Sequence, residues 1–160
     1  AKSISESALK SAYTAKQIAR DLFPSDLQDN GLTASVMQLV KSKNITDGGR
    51  IALEIQPHFQ VDDTQMAIQL YRIIQEALNN AIKHAHANHI TVRLQSDNQS
   101  ITVEVADDGV GFEVRKGKAA SGMGMKILTY RANLIGGSLN VSSSPEGTVV
   151  SCRVALQEGV

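Results

Sequence analysis

The chain has 160 residues, 42% of them hydrophobic, and its 16 basic and 16 acidic side chains cancel to a formal net charge of zero. That length holds one well-packed domain with a helical extension and is too short for two full ones. The charge balance gives no global attraction to nucleic acid or to an anionic membrane, so any anion site must be local.

The first segment, "SISESALKSAYTAKQIARDLFP", sets Ile4, Ala8, Ala12, Ala15, Ile18, Ala19 and Leu22 at helical spacing and stops at Pro24. So thin an apolar face suits another helix better than a deep core, which predicts the end of a coiled or bundled element. The link "PSDLQDNG" reads as turn chemistry, and Gly31 opens a second helix with Leu32, Val36, Leu39 and Val40 on one face. After "TDGG" the period changes: Ile51, Leu53 and Ile55 alternate with other residues as in a strand with one buried face. Asp62, Asp63 or Thr64 can cap a long helix over 64–86, whose apolar side carries Leu70, Ile74, Ala77, Leu78, Ala81 and Ala85.

Strands follow. Ile90, Val92 and Leu94 alternate, "SDNQS" turns, and Ile101, Val103 and Val105 alternate again as a hairpin. A glycine-rich stretch leads into a helix through "MKILTYRANLIGG", ended by Gly136 and Gly137. Two strands around "SLNVSS" and "GTVVSCRVAL", joined by "SPEG", close the chain. The only cysteine, Cys152, falls in that last alternation; it excludes an internal disulfide and reads as a buried thiol. Short turns between adjacent strands argue against a doubly wound parallel sheet. The expected fold is α+β, a two-layer sandwich with helices on one face of a mixed, mostly antiparallel sheet. No apolar run approaches the ~18 residues that cross a bilayer and the N-terminus lacks a signal-peptide layout, so a cytoplasmic chain without membrane contact is expected.

Three clusters carry chemistry. In "EALNNAIKHA", residues 76–85, the poor helix formers Asn79 and Asn80 interrupt a good helix. A helical wheel puts Arg72, Glu76, Asn80 and Lys83 on one face, opposite Leu70, Ile74, Ala77 and Ala81, although any half-buried helix shows a polar face. In "VADDGVGF", residues 105–112, a strand runs into Asp107, Asp108, Gly109 and Gly111. An ionised aspartate is acceptor-only, so Asp107 could receive the exocyclic amine of an adenine while the glycines let backbone approach a ligand; the same letters also make a common turn. In "SGMGMK", residues 121–126, glycines at a helix start can point amides at phosphate oxygens, or simply cap the helix. Neither the lysine-bearing phosphate loop nor the dinucleotide fingerprint is present.

Taken in order, "EALNNAIKHA", "DDGVG" and "GMGMKI", followed by "GGSLNVSSSPEGTVV", resemble the ATP-binding superfamily that joins gyrase, the heat-shock chaperones, histidine kinases and mismatch-repair ATPases, over roughly residues 50–156. Within it "NAIKHA" and "YRANLIGGSL" look most like sensor histidine kinases of the nitrate-sensor-like class, and "ARDLFPSDLQDNGL" is similar to the segment that ends the dimerisation helices of that class.

The resemblance implies a Bergerat-type fold. It implies residues 1–30 as the end of a dimerisation region and 31–160 as the catalytic domain. It implies Mg²⁺ and ATP as cofactors, Asn80 as metal ligand and Glu76 as catalytic base. Lys83 and His84 would stand at the phosphate edge, Asp107 would read adenine, and Gly109 and Gly111 would make room for the base. Gly122, Met123, Gly124 and Met125 would form the lid hinge, with Thr148 supporting the adenine contact. Asn79 is expected toward the sheet side or the pocket rim. The loop basic residues Arg115, Lys116 and Lys118 read as solvated charges free to steer a polyanion. Leu128 and Tyr130 stand where many relatives carry Met and Glu.

The four histidines, His58, His84, His86 and His89, all lie outside the first helix, so a phosphoacceptor is missing there. The implied partners are therefore a phosphoacceptor histidine helix and a response regulator. A different class of reading is an ATP-dependent conformational switch that governs a protein interaction without kinase activity.

Overall fold

The computed structural model describes residues 4–8, 11, 25–111 and 123–157, with the side chains of residues 25, 26 and 123 excepted. Among these, helix α1 (Ser25–Asp47) leads into strand β1 (Ile51–Ile55), helix α2 (Thr64–His84), and the strands β2 (Ile90–Ser96) and β3 (Ser100–Asp107). Helix α3 (Met123–Leu134) and the strands β4 (Gly137–Ser144) and β5 (Gly147–Ala155) complete the order. The sheet runs β1-β2-β3-β5-β4; β1 is parallel to β2 and every other pairing is antiparallel. This is the expected two-layer α+β sandwich.

One face of the sheet is packed because each strand alternates. Ile90, Val92 and Leu94 of β2, Ile101, Val103 and Val105 of β3, and Val150, Cys152 and Val154 of β5 are all buried. Against them α2 lays Leu70, Ile73, Ile74, Leu78 and Ala81. Full burial of such side chains contributes about 1.5–3 kcal/mol each. The Asp63 carboxylate caps α2 by accepting the Met66 amide at 2.9 Å, which decides among the three candidate caps.

Several sequence expectations need correction. "SDLQDN" is helical rather than a turn: α1 begins at Ser25 and is only kinked at Gly31, whose φ of 78° and ψ of 176° are non-helical. Leu27, 4% exposed, anchors that extra turn in the core. Helix α2 ends at His84 rather than 86, with Ala85 as its cap. Gly136, at φ 66°, ends the helical turn after α3, whereas Gly137 already pairs with Val154 as the first residue of β4. Of the alanine-rich first helix, residues 4–8 and 11 are helical and the rest lies outside the described residues.

Candidate functional site

Helix α2 points its C-terminal half at the end of the sheet where β3 finishes and β5 begins. A cavity opens there, lined by Ala77, Asn80 and His84 of α2, Asp107 at the end of β3, Gly111, Met125 of α3 and Thr148 of β5. Its walls come from all three sequence clusters, which lie far apart along the chain.

The end of β3 is shaped by backbone contacts that leave no room for side chains. A Cβ on Gly109 would stand 2.1 Å from the Ala85 carbonyl oxygen, and one on Gly111, at φ 70°, would stand 2.0 Å from that of Ser144. The Gly109 amide donates to Asp107 Oδ1 at 3.0 Å. That bond fixes the carboxylate by one oxygen and leaves the other as an acceptor for a ligand. Directly across the ladder, Asp107 faces Thr148, which is 4% exposed and whose Oγ1 lies 3.0 Å from Ser143 Oγ.

At the other end of the cavity α3 begins over α2. A Cβ on Gly124 would stand 3.3 Å from Glu76 Oε1 and 3.6 Å from Asn80 Nδ2. The first turn of α3, whose amides have no partner within the helix, thus passes close to the Glu76 and Asn80 side chains. Glu76 and Asn80 are half-buried.

The sequence-predicted residues are not all brought together. Asn80, His84, Asp107, Gly111, Met125 and Thr148 share the cavity wall, and Gly109 and Gly124 support it from behind. Lys83 is exposed and outside that lining, and Asn79 is half-buried and likewise outside it. Met123 opens α3, while Gly122, Arg115, Lys116 and Lys118 lie outside the described residues. Arg72 departs from the helical-wheel reading: it is 8% exposed, and its Nη1 donates to Gln75 Oε1 at 3.5 Å. Leu128 is fully buried and Tyr130 is 64% exposed.

Alanines 77, 81 and 85, read from sequence as core, line the cavity with Val105 and Val150. Their spacing of four along α2, all small, was the available signal for a face that leaves space. Asp108, read only as turn chemistry, accepts the Asn88 and His89 amides at 2.8 and 2.9 Å, and its Oδ2 lies 3.0 Å from His89 Nδ1. The backbone and side-chain bonds from His89 hold its carboxyl below the usual carboxylate range.

A comparison with protein families matches residues 65–158 to the histidine kinase-, DNA gyrase B-, and HSP90-like ATPases. The chain belongs to that family. Its matched residues take in all three clusters of the cavity, and the family binds ATP. Among curated proteins the chain is 31% identical over 144 residues to the oxygen sensor histidine kinase NreB of Staphylococcus carnosus (strain TM300), covering 89% of this chain and 42% of that protein. The chain therefore spans less than half the length of that relative. The histidine kinase domain of the Erythrobacter litoralis EL346 blue-light activated histidine kinase superimposes with a TM-score of 0.67 at 25% identity, over 78% of this chain and 61% of that one. The Acinetobacter baumannii histidine kinase AdeS shares the fold with a TM-score of 0.69 at 14% identity, over 99% of this chain and 86% of the other. Among the described residues no helix is long and apolar enough to cross a membrane.

Proposed function

We propose that this ATPase-family domain is the catalytic part of a sensor histidine kinase, with residues 31–160 as the ATP-binding domain and residues 1–30 as the end of a dimerisation region. The observation that supports this reading is that Asn80, Asp107 and Thr148 line one cavity, with Glu76 and Gly124 beside Asn80 just outside that lining. A nucleotide needs such a layout, with an acceptor for the base at one end and amide donors and a metal ligand for the phosphates at the other.

The residues fit the ligand. At Gly124 a Cβ would stand 3.3 Å from Glu76 Oε1 and press on that carboxylate, so glycine there leaves its head group room. Asp107 accepts the adenine amine through the oxygen that Gly109 leaves unused, and Thr148 fixes the far side of that contact. Asn80 offers a neutral oxygen to Mg²⁺, which when bound neutralises phosphate charge. Glu76, one turn earlier on α2, takes the proton of the attacking imidazole, or of water in idle turnover. His84 lines the phosphate edge, and Lys83 adds a cation from the exposed side of the same turn. Gly124 and Met125, in the first turn of α3, would border the phosphates; Gly122 lies outside the described residues.

The acceptor imidazole comes from a dimerisation helix of the parent protein, and a response regulator receives the phosphoryl group in turn. None of His58, His84, His86 and His89 lies in the first 30 residues, so this reading does not take the acceptor from residues 1–30. Calorimetric titration with a non-hydrolysable ATP analogue, with and without Mg²⁺, tests the reading. Binding should depend on Mg²⁺, weaken in Asn80→Ala and nearly vanish in Asp107→Asn; binding indifferent to both substitutions would sink it.

A further inference from the structure

The loop that follows α2, residues 85–89, meets the cavity at Ala85, and no sheet pairing holds it. It is braced from two directions. On the strand side, Asp108 accepts the Asn88 amide at 2.8 Å and the His89 amide at 2.9 Å through Oδ1, and meets His89 Nδ1 at 3.0 Å through Oδ2. The backbone closes the same seam, with the Asp108 amide donating to His89 O at 3.2 Å and the Val110 amide to Ala85 O at 2.9 Å. From the opposite direction Arg50, in the turn between α1 and β1, donates through Nη1 to the Ala87 carbonyl. Its guanidinium is itself gripped by Asp47 at the end of α1, Nε to Oδ2 at 2.6 Å and Nη2 to Oδ1 at 3.0 Å. A fork–fork pair of this kind fixes orientation as well as distance.

The seam matters because of what it is stitched to. Asp107 precedes Asp108, and its carboxylate is set by the Gly109 amide. Gly109 in turn lies so close to Ala85 that no Cβ fits between them. The gap between the end of α2 and the Asp107 carboxylate therefore depends on how tightly loop 85–89 is drawn onto residues 108–110. Drawn tight, Asp107 is held as a fixed acceptor. Released, it can swing to suit another group.

We propose that Asp108 is a positioning residue for base specificity, seconded by Arg50: by clamping loop 85–89 it holds Asp107 where it accepts the amine of adenine and repels the carbonyl oxygen that guanine presents at the same place. The proposal rests on the nucleotide-binding reading above. It concerns the base end of the cavity alone, since the Glu76, Asn80 and Gly124 end is built by α2 and α3 without the clamp. In Asp108→Ala three contacts are lost at once, and two loop amides turn to solvent. Asp108→Asn keeps an amide oxygen for those two amides and a nitrogen that can donate to His89.

The test compares affinities of the whole 160-residue chain for non-hydrolysable ATP and GTP analogues, with and without Mg²⁺, alongside thermal melting. The unsubstituted chain should prefer the ATP analogue. Asp108→Ala should weaken that binding about tenfold and narrow the ATP-to-GTP preference by a similar factor, the size of effect that losing one or two net hydrogen bonds gives. Its Mg²⁺ dependence should not change. Asp108→Asn should restore most of both quantities, and Arg50→Ala should move them in the same direction by a smaller factor.

Unchanged binding in Asp108→Ala would overturn the proposal, as would a loss of affinity that leaves the ATP-to-GTP ratio intact, which marks a merely structural role. Failure of the unsubstituted chain to bind the ATP analogue would instead sink the nucleotide reading, and this inference with it. Should Asp108→Ala not fold, Arg50→Ala carries the same comparison, because its side chain is outside the cavity.

Discussion

Asp107 and Thr148 stand directly opposite one another across the β3–β5 ladder, one half-buried and the other 4% exposed. Opposed residues of an antiparallel pair put their side chains on the same face, so the two flank one point of the cavity. Thr148 is held by its hydroxyl contact with Ser143 at 3.0 Å. Thr148→Val keeps the shape and removes that hydroxyl, whereas Thr148→Ser keeps it and removes a methyl. Affinity for an ATP analogue should fall about three- to tenfold in the first variant and less in the second, the loss expected of one hydrogen bond. Calorimetry on the pair checks this; equal losses would mean that the methyl, not the hydroxyl, supports the base.

Two glycines near the site should respond differently to alanine. A Cβ on Gly147, at φ 144°, would meet the Asp107 carbonyl oxygen at 2.0 Å, and backbone cannot yield there. Gly147→Ala should therefore destabilise the fold by about 2–4 kcal/mol in urea unfolding. A Cβ on Gly124 would meet only the Glu76 carboxylate at 3.3 Å and the Asn80 amide at 3.6 Å, both ends of flexible side chains. Gly124→Ala should leave the unfolding midpoint nearly unchanged and lower affinity for an ATP analogue instead. A stable Gly147→Ala protein would contradict the backbone contact.

How legible this was in the sequence depended on what each signal measures. Period two and period 3.6 report a buried face, so the five strands and α2 could be read from Ile90, Val92 and Leu94 or from Leu70, Ile74 and Leu78. Turn propensity reports only local preference, and it failed at "SDLQDN", where burial of Leu27 favours helix over loop. A helical wheel ranks faces without knowing their neighbours. It put Arg72 on the polar face, yet Arg72 is 8% exposed, whereas Ala77 and Ala81 are buried as the apolar face requires and border the cavity as well. The clamp formed by Arg50, Ala87 and Asp108 was invisible because its parts are spread over some sixty positions and no spacing rule connects them.

Acid should destabilise the fold partly through two hydrogen-bonded aspartates. Backbone bonds from Gln99 and Ser100 hold the Asp97 carboxyl below its ordinary value, and the bonds from His89 and Asn88 do the same for Asp108. A carboxylate whose folded value is depressed contributes stability that is fully present above its unfolded value of ~3.9 and is lost as pH falls through the lower folded value. Stability measured in urea between pH 6 and pH 2 should therefore drop most steeply below about pH 4. Asp97→Asn should flatten that slope while lowering stability at neutral pH. A slope unchanged in the variant would show that Asp97 is not among the groups that titrate on unfolding.

Cys152 offers a probe of global opening. It lies in β5, opposite Val103 of β3 and Leu139 of β4, with none of its surface exposed, and burial pushes its thiol up to about 11. Both effects suppress the thiolate, which is the species that reacts with alkylating reagents. Because β5 is hydrogen-bonded on both sides, local fraying cannot expose the sulfur; its neighbouring strands must separate first. Labelling at neutral pH should then proceed at the rate set by global unfolding and should slow when the fold is stabilised. Since this is the chain's only cysteine, mass spectrometry reads the reaction as a single addition. If the nucleotide reading is right, a saturating ATP analogue with Mg²⁺ slows labelling roughly in proportion to one plus the ligand concentration over its dissociation constant. Fast labelling of the native chain would show instead that the sheet opens at β4 and β5 without unfolding.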